Sequence, residues 1–339
     1  MPSDIGVKIV DNRIGITTTI PVELVFAAGK VPVDLNNVFI TSADPISAVQ
    51  AAEYDGYPRN VCGWIKGIYA TALSSGIKTV IAVVEGDCSQ THAMMETLEM
   101  RGIEVIPFGF PYGRDRELLR AHIERLAARL GADLDTVEEW KRHLDGVREL
   151  AWRLDEMTWR ENKVLGWENH YYQVQCSDFN GDPDRYAQEL SGFLDMAKSR
   201  QAVNPEIRLG YIGIPPIFTD LYEFLESLGA RVVFNEVQRQ FTMPFSTDDL
   251  IEQYARYTYP YDVFTRIADI KQEISRREIH GIIHYTQSFC FRQIQDIIMR
   301  REIDVPILTI EGENPTRLDG RTRVRIESFL EMLERRCRT

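Results

Sequence analysis

Three cysteines, Cys62, Cys88 and Cys290, carry the first chemical signal, because each stands just before a stretch of helical pattern. Cys88 is the clearest. Thr79 to Val84 is a near-continuous β-branched and apolar run, which suits a parallel strand covered on both faces. Glu85-Gly86-Asp87 stops it, and Asp87 or Ser89 can cap the next helix, where Met94, Met95 and Leu98 recur at helical spacing before Gly102. Ile103 to Phe108 reads as the following strand. In such a unit the residue between strand end and helix start lies at the carboxyl edge of the sheet, where open α/β folds bind their ligands. A thiol there faces the unpaired N–H groups of the helix, which favour the thiolate and any anionic group it holds.

Cys62, in VCGWIKG, likewise precedes a helical stretch, roughly Ile65 to Leu73. Cys290 follows the strand Gly281 to Tyr285 through the exit Thr286-Gln287-Ser288-Phe289, and precedes a helix, Arg292 to Glu302, with Ile294, Ile297 and Ile298 expected inward. If the carboxyl edges of two α/β halves face each other, the three thiols converge. A thiolate triad fits an iron-sulfur cubane, in which each iron wants one soft anionic ligand and three ligands leave one iron open to a substrate. The separations match no C-x-x-C ferredoxin or zinc-knuckle pattern, however. Free cysteine is among the most buried residue types, so buried structural thiols are the plain alternative, and zinc on Cys62, Cys88, Cys290 and a histidine is another. Cys176, in YYQVQCSDFNGD, is a candidate fourth ligand; Cys337, near the end, reads as a surface residue.

Other side chains have candidate roles beside the thiols. His92, four residues after Cys88, and His284, six before Cys290, are candidates to move a proton. Glu311 and Glu313 follow the last strand at its carboxyl end, a place for a base or for a group that holds a substrate hydroxyl. Ser89, Gln287 and Ser288 flank the cysteines and are candidate donors to cluster sulfides. Lys66 and Arg59 are candidates to offset cluster charge, and Tyr257-Thr258-Tyr259-Pro260-Tyr261 reads as an aromatic wall. The bland reading of each is ordinary packing, capping or a solvated face.

A chain of 339 residues is long for one core. The pattern predicts two Rossmann- or flavodoxin-like α/β domains with parallel sheets and a helix-rich connection: residues 1–135 with Cys62 and Cys88, residues 136–204 as the connection, and residues 205–339 with Cys290. The opening stretch, Val7 to Thr19, is short and partly alternating. LYEFLESLGARVVFNE and MMETLEMRGIEVIPFG share a layout of helix, glycine stop and strand, a weak hint of two similar halves. A net charge of -12 argues against nonspecific binding to nucleic acid or anionic membranes, both of which need a basic footprint. There is no run of 18 apolar residues and no signal-type start, which predicts a cytoplasmic protein. Five scattered cysteines then suit metal or catalysis better than disulfides.

IPVELVFAAGKVPVDLNN, VCGWIKG, EGDCSQTHAMMETLEMRGIEVIPF, GIIHYTQSFC and the tail LTIEGE with GRTRVRIESFLEML resemble, in this order, the subunits of 2-hydroxyacyl-CoA dehydratases, the 2-hydroxyglutaryl-CoA dehydratase component D family. They also resemble benzoyl-CoA reductase subunits and double-cubane cluster proteins. The resemblance implies an oxygen-sensitive [4Fe-4S] cluster at a domain interface, on Cys62, Cys88 and Cys290 by motif position. It implies paired subunits, as a homodimer or a related heterodimer, and a separate ATP-hydrolysing activator that injects a low-potential electron. No G-x-x-x-x-G-K-[ST] phosphate loop stands in the chain itself. The implied reaction removes the hydroxyl of a 2-hydroxyacyl-CoA through a ketyl radical. ATP-driven reduction of a non-CoA small molecule, as in the double-cubane branch, is the second reading, although fused cubanes need about six thiolates. A non-catalytic metal-binding or electron-transfer protein is the third.

Overall fold

Eight strands build two four-stranded parallel sheets in the computed structural model, which describes residues 12–338. Strands β1 (Arg13–Ile16), β2 (Val31–Asp34), β3 (Thr79–Glu85) and β4 (Glu104–Gly109) form the first, in the order β2-β1-β3-β4. Strands β5 (Ile207–Gly213), β6 (Ala230–Asn235), β7 (Gly281–Gln287) and β8 (Ile307–Gly312) form the second, in the order β6-β5-β7-β8. Each sheet therefore has the same winding. The chain steps to one side of the first strand and then crosses back to the other, so the order reverses between β1 and β3 and again between β5 and β7. Ligands of open α/β sheets bind at such reversals, beyond the carboxyl ends of the strands.

The apolar runs become strands because both their faces are covered. Val80 to Val83 of β3 and all of β7 are buried. Helices Arg116–Leu130, Leu134–Trp159, Gly166–Val174 and Pro183–Lys198 lie between the sheets in sequence. One apolar cluster joins Leu35, Phe39 and Ile65 to Leu209, Tyr211 and Ile283, so the sheets share a core; each such side chain is worth about 1.5–3 kcal/mol when fully buried. The second half also reaches under the first sheet. The Tyr254 hydroxyl donates to the Ile20 carbonyl and to Glu23 Oε2, both at 2.9 Å, and Glu23 is paired with Arg148 at 2.8 Å with both side chains buried.

Three expectations change. The two matching sequence windows are not equivalent: LYEFLESLGARVVFNE ends in β6, the second strand of its sheet, and MMETLEMRGIEVIPFG in β4, the fourth of its own. The equivalent strands are β3 and β7. Ile294 and Ile297 are 70% and 57% exposed, not inward. After Cys290 the chain makes a 3-10 turn, Phe291–Gln295, before the helix Asp296–Glu302, and the tighter winding rotates the periodic positions out of register. Val31 to Ile40, which Pro32 and two asparagines mark in the sequence as extended and partly loop, is extended only over Val31–Asp34; the rest lies in a helix, Leu35–Thr41, capped by Asp34, whose carboxylate accepts from the Asn36 amide at 2.9 Å. Residues 7–11 of the alternating opening stretch lie outside the described residues.

Candidate functional site

Cys88 follows β3 and Cys290 follows β7, the strands at the two reversals. Cys62 caps the helix Gly63–Ser74 from the first half. All three line one cavity, the kind of concave setting in which small-molecule sites are built. Each thiol also feels the charge of its neighbours there.

Close backbone approach holds the three loops together. A Cβ on Gly63 would lie 2.4 Å from the Glu313 carbonyl oxygen, so the loop after β8 presses directly on the start of the Cys62 helix. Gln287 ties the same carbonyl from β7, its amide donating at 2.8 Å. Gly86, with φ +90°, stands before Asp87 and Cys88, and a Cβ there would lie 2.4 Å from the Pro260 carbonyl oxygen. Gln90 crosses the gap between loops. Its Oε1 accepts from the Cys62 amide at 3.3 Å and its Nε2 donates to the Phe289 carbonyl at 3.4 Å.

Burial dominates the electrostatics. It pushes the Cys62 thiol up to about 11, against the pull of the Ile65 and Trp64 amides. It raises Cys88 as well, and the carboxylate of Asp87 raises it further. Cys290 is raised by burial but drawn back by the amide and the charge of Arg292. Asp87 itself is raised by burial against the Arg292 charge, and it accepts from the Tyr259 hydroxyl at 3.1 Å. His170, on the cavity wall, is held down to about 3 by burial and accepts from the Gln238 amide at Nδ1.

The remaining predicted residues lie elsewhere. His92 is exposed, its Nε2 2.9 Å from the Val84 carbonyl. Cys88 precedes the helix Thr91–Met100 rather than standing on it, so the four-residue spacing puts the pair on no common face. His284 Nδ1 is 2.6 Å from Asp296. Glu311 is exposed and accepts from the Ser288 hydroxyl at 2.7 Å; Glu313 is exposed and offers its backbone carbonyl. Neither lines the cavity. Cys176 is buried in the core away from the lining, 3.2 Å from the Tyr186 hydroxyl, and Cys337 is exposed. Lys66 is buried in an ion pair with Glu53 at 2.7 Å. Tyr259 of the aromatic stretch does reach the cavity.

Sequence reasoning missed Asp34, Trp64, His170 and Arg292 as lining residues and saw Asp87 only as a cap. Asp87, Trp64 and Arg292 stand one or two residues from a cysteine, which is a usable signal. Asp34 and His170 arrive from β2 and from the helix Gly166–Val174 with no local mark. The donor set is three soft thiols on separate loops around a shared cavity, and among the described residues no three His, Cys, Asp or Glu groups gather tightly enough to grip a single ion.

Among the described residues no helix is long and apolar enough to cross a membrane. No curated protein matches the chain. The sequence model of the family described as 2-hydroxyglutaryl-CoA dehydratase, D-component, matches residues 17–333, nearly the whole chain, and with its paired α/β sheets the chain belongs to that family.

Proposed function

We propose that the chain is the cluster-carrying subunit of a 2-hydroxyacyl-CoA dehydratase-type enzyme, with Cys62, Cys88 and Cys290 as ligands of one [4Fe-4S] cluster. The observation that carries this reading is the single cavity lined by three thiols from three loops, two of them after equivalent strands of different sheets. Soft thiolates spread around a cavity suit a cluster whose irons each take one sulfur. Held there, such a cluster supplies low-potential one-electron chemistry and a Lewis-acidic iron.

The chain's own residues supply the setting. Burial keeps the three thiols protonated, so each gives up its proton when a metal takes its place. Ile40, Ile65, Ile68 and Phe241 make much of the wall apolar, which excludes water and suits an acyl chain. By what its family implies, the electron comes from a separate ATP-hydrolysing activator; no phosphate loop stands in the chain itself. A second subunit, a copy or a relative, completes the enzyme.

The test is turnover without oxygen, with the family's activator, ATP, a low-potential reductant and a panel of 2-hydroxyacyl-CoA thioesters. The expected result is ATP-dependent formation of the 2-enoyl-CoA, abolished by Cys290→Ala. A cluster that the activator reduces, with no thioester dehydrated and a non-CoA small molecule reduced instead, would replace this reading with the reductase one.

A further inference from the structure

Two buried hydrogen-bond donors on side chains that line the thiol cavity have no acceptor. Arg292 is 8% exposed; its Nη2 donates to the carbonyls of Gly86 and Tyr259, each at 3.2 Å, and its guanidinium lies 4.4 Å from the Tyr259 ring centroid. Its Nη1 is unpartnered. Trp64 is 9% exposed, and its indole Nε1 is unpartnered too. Both side chains line the cavity. Leaving a buried donor unpaired is costly, and more so when it is charged, so two such donors on side chains lining one cavity call for an acceptor there.

Position narrows what that acceptor is. Trp64 stands two residues after Cys62 and Arg292 two after Cys290. The residue at the same place after Cys88 is Gln90, whose amide is already spent on the other two cysteine loops. Of the flanking groups that the sequence offered as sulfide donors, Ser288 donates to Glu311 and Gln287 to the Glu313 carbonyl, while Ser89 is exposed and does not line the cavity. Lys66, the nearby cation, is held by Glu53. Among these flanking groups, Arg292 and Trp64 are the ones with a donor to give.

We propose that Arg292 Nη1 and Trp64 Nε1 donate to sulfur atoms of the group held by Cys62, Cys88 and Cys290, and that they set how readily it accepts an electron. The assignment rests on the cluster reading above. Reduction adds one electron from the external reductant and breaks no bond to the protein, so the added negative charge falls on iron and sulfur. A fixed cation and an N–H dipole aimed at sulfur stabilise the reduced form more than the oxidised one and raise the potential. Arg292 acts more strongly because it brings a full charge into a low-dielectric site. Both are positioning residues.

The experiment is a redox titration of the cluster-loaded protein, followed by electron paramagnetic resonance, for wild type, Arg292→Met, Arg292→Lys and Trp64→Phe, with iron and sulfide assayed on each. Arg292→Met is expected to lower the reduction equilibrium constant at least tenfold, a shift of about 59 mV to more negative potential. Arg292→Lys falls between it and wild type, and Trp64→Phe shifts the same way by a smaller factor. Should Arg292→Met load no cluster, Arg292→Lys and Trp64→Phe decide by the same criterion. Variants with wild-type iron and an unchanged potential overturn this assignment alone, whereas a wild type without iron overturns the cluster reading as well.

Discussion

The Cys88 and Cys290 loops occupy equivalent places in two sheets of the same winding, yet their chemistry is opposite. Cys88 has a carboxylate beside it, Asp87, which raises its thiol; Cys290 has a guanidinium two residues on, Arg292, which draws its thiol back. Cys88 leads into a ten-residue helix, whereas Cys290 leads into a 3-10 turn, and Phe289 before it adopts a left-handed backbone with φ 66°. One winding thus gives two unlike walls to one cavity. The two walls are tied together: Arg292 donates to the Gly86 carbonyl of the Cys88 loop, and its charge acts on Asp87. Duplicate topology supplies the placement of the thiols, and the residues next to them supply the polarity.

The largest way to break this comparison is to remove one support and leave its counterpart. Each half has a buried ion pair, Glu23 with Arg148 and Glu236 with Arg266. Arg266 also donates to Gln295 Oε1, in the turn after Cys290, at 3.0 Å. Arg148→Met and Arg266→Met should each cost about 3–5 kcal/mol in urea unfolding, because each leaves a buried carboxylate unpaired. Only Arg266→Met should also speed alkylation of Cys290 in the folded protein.

Gly86→Ala attacks the other loop. A methyl group there meets the Pro260 carbonyl and forces an L residue to φ +90°, so a loss of about 2 kcal/mol or more is expected, with faster alkylation of Cys88 than of Cys290. His170 tests the wall between the loops. Its folded pKa of about 3 lies below the ordinary 6.5, so as pH falls the unfolded chain takes up the proton first. That contribution is present above pH 6.5 and is lost as the pH falls from 6.5 toward 3, by about 1 kcal/mol between pH 6 and pH 5. Urea midpoints of wild type should fall in that window relative to those of His170→Asn. The smallest effect belongs to Gln90→Ala, about 0.5–1.5 kcal/mol, because its two bonds between loops are long.

What the sequence made legible follows from short-range physics. The buried strands announced themselves as β-branched runs, and a cysteine just past such a run has to lie at the carboxyl edge of its sheet; hence Cys88 and Cys290 share a cavity. Cys62 was readable as the residue before a helix. Errors arose where one residue's geometry altered all that followed. The 3-10 turn after Cys290 turned Ile294 and Ile297 outward, and the gap between Cys88 and its helix removed His92 from the cavity side. Glu311 and Glu313 were placed at the correct strand end, but local partners hold them outside the cavity. Asp34 and His170 were out of reach, because only tertiary packing brings β2 and the helix Gly166–Val174 to the thiols.

The most direct test of the account is iron and acid-labile sulfide per chain, on protein purified without oxygen, for wild type and for alanine at Cys62, Cys88, Cys290 and Cys176 in turn. The account predicts about four of each per chain in wild type and in Cys176→Ala, with loss in each of the other three. Zinc in place of iron, or iron unchanged when any of the three cavity cysteines is removed, would contradict it.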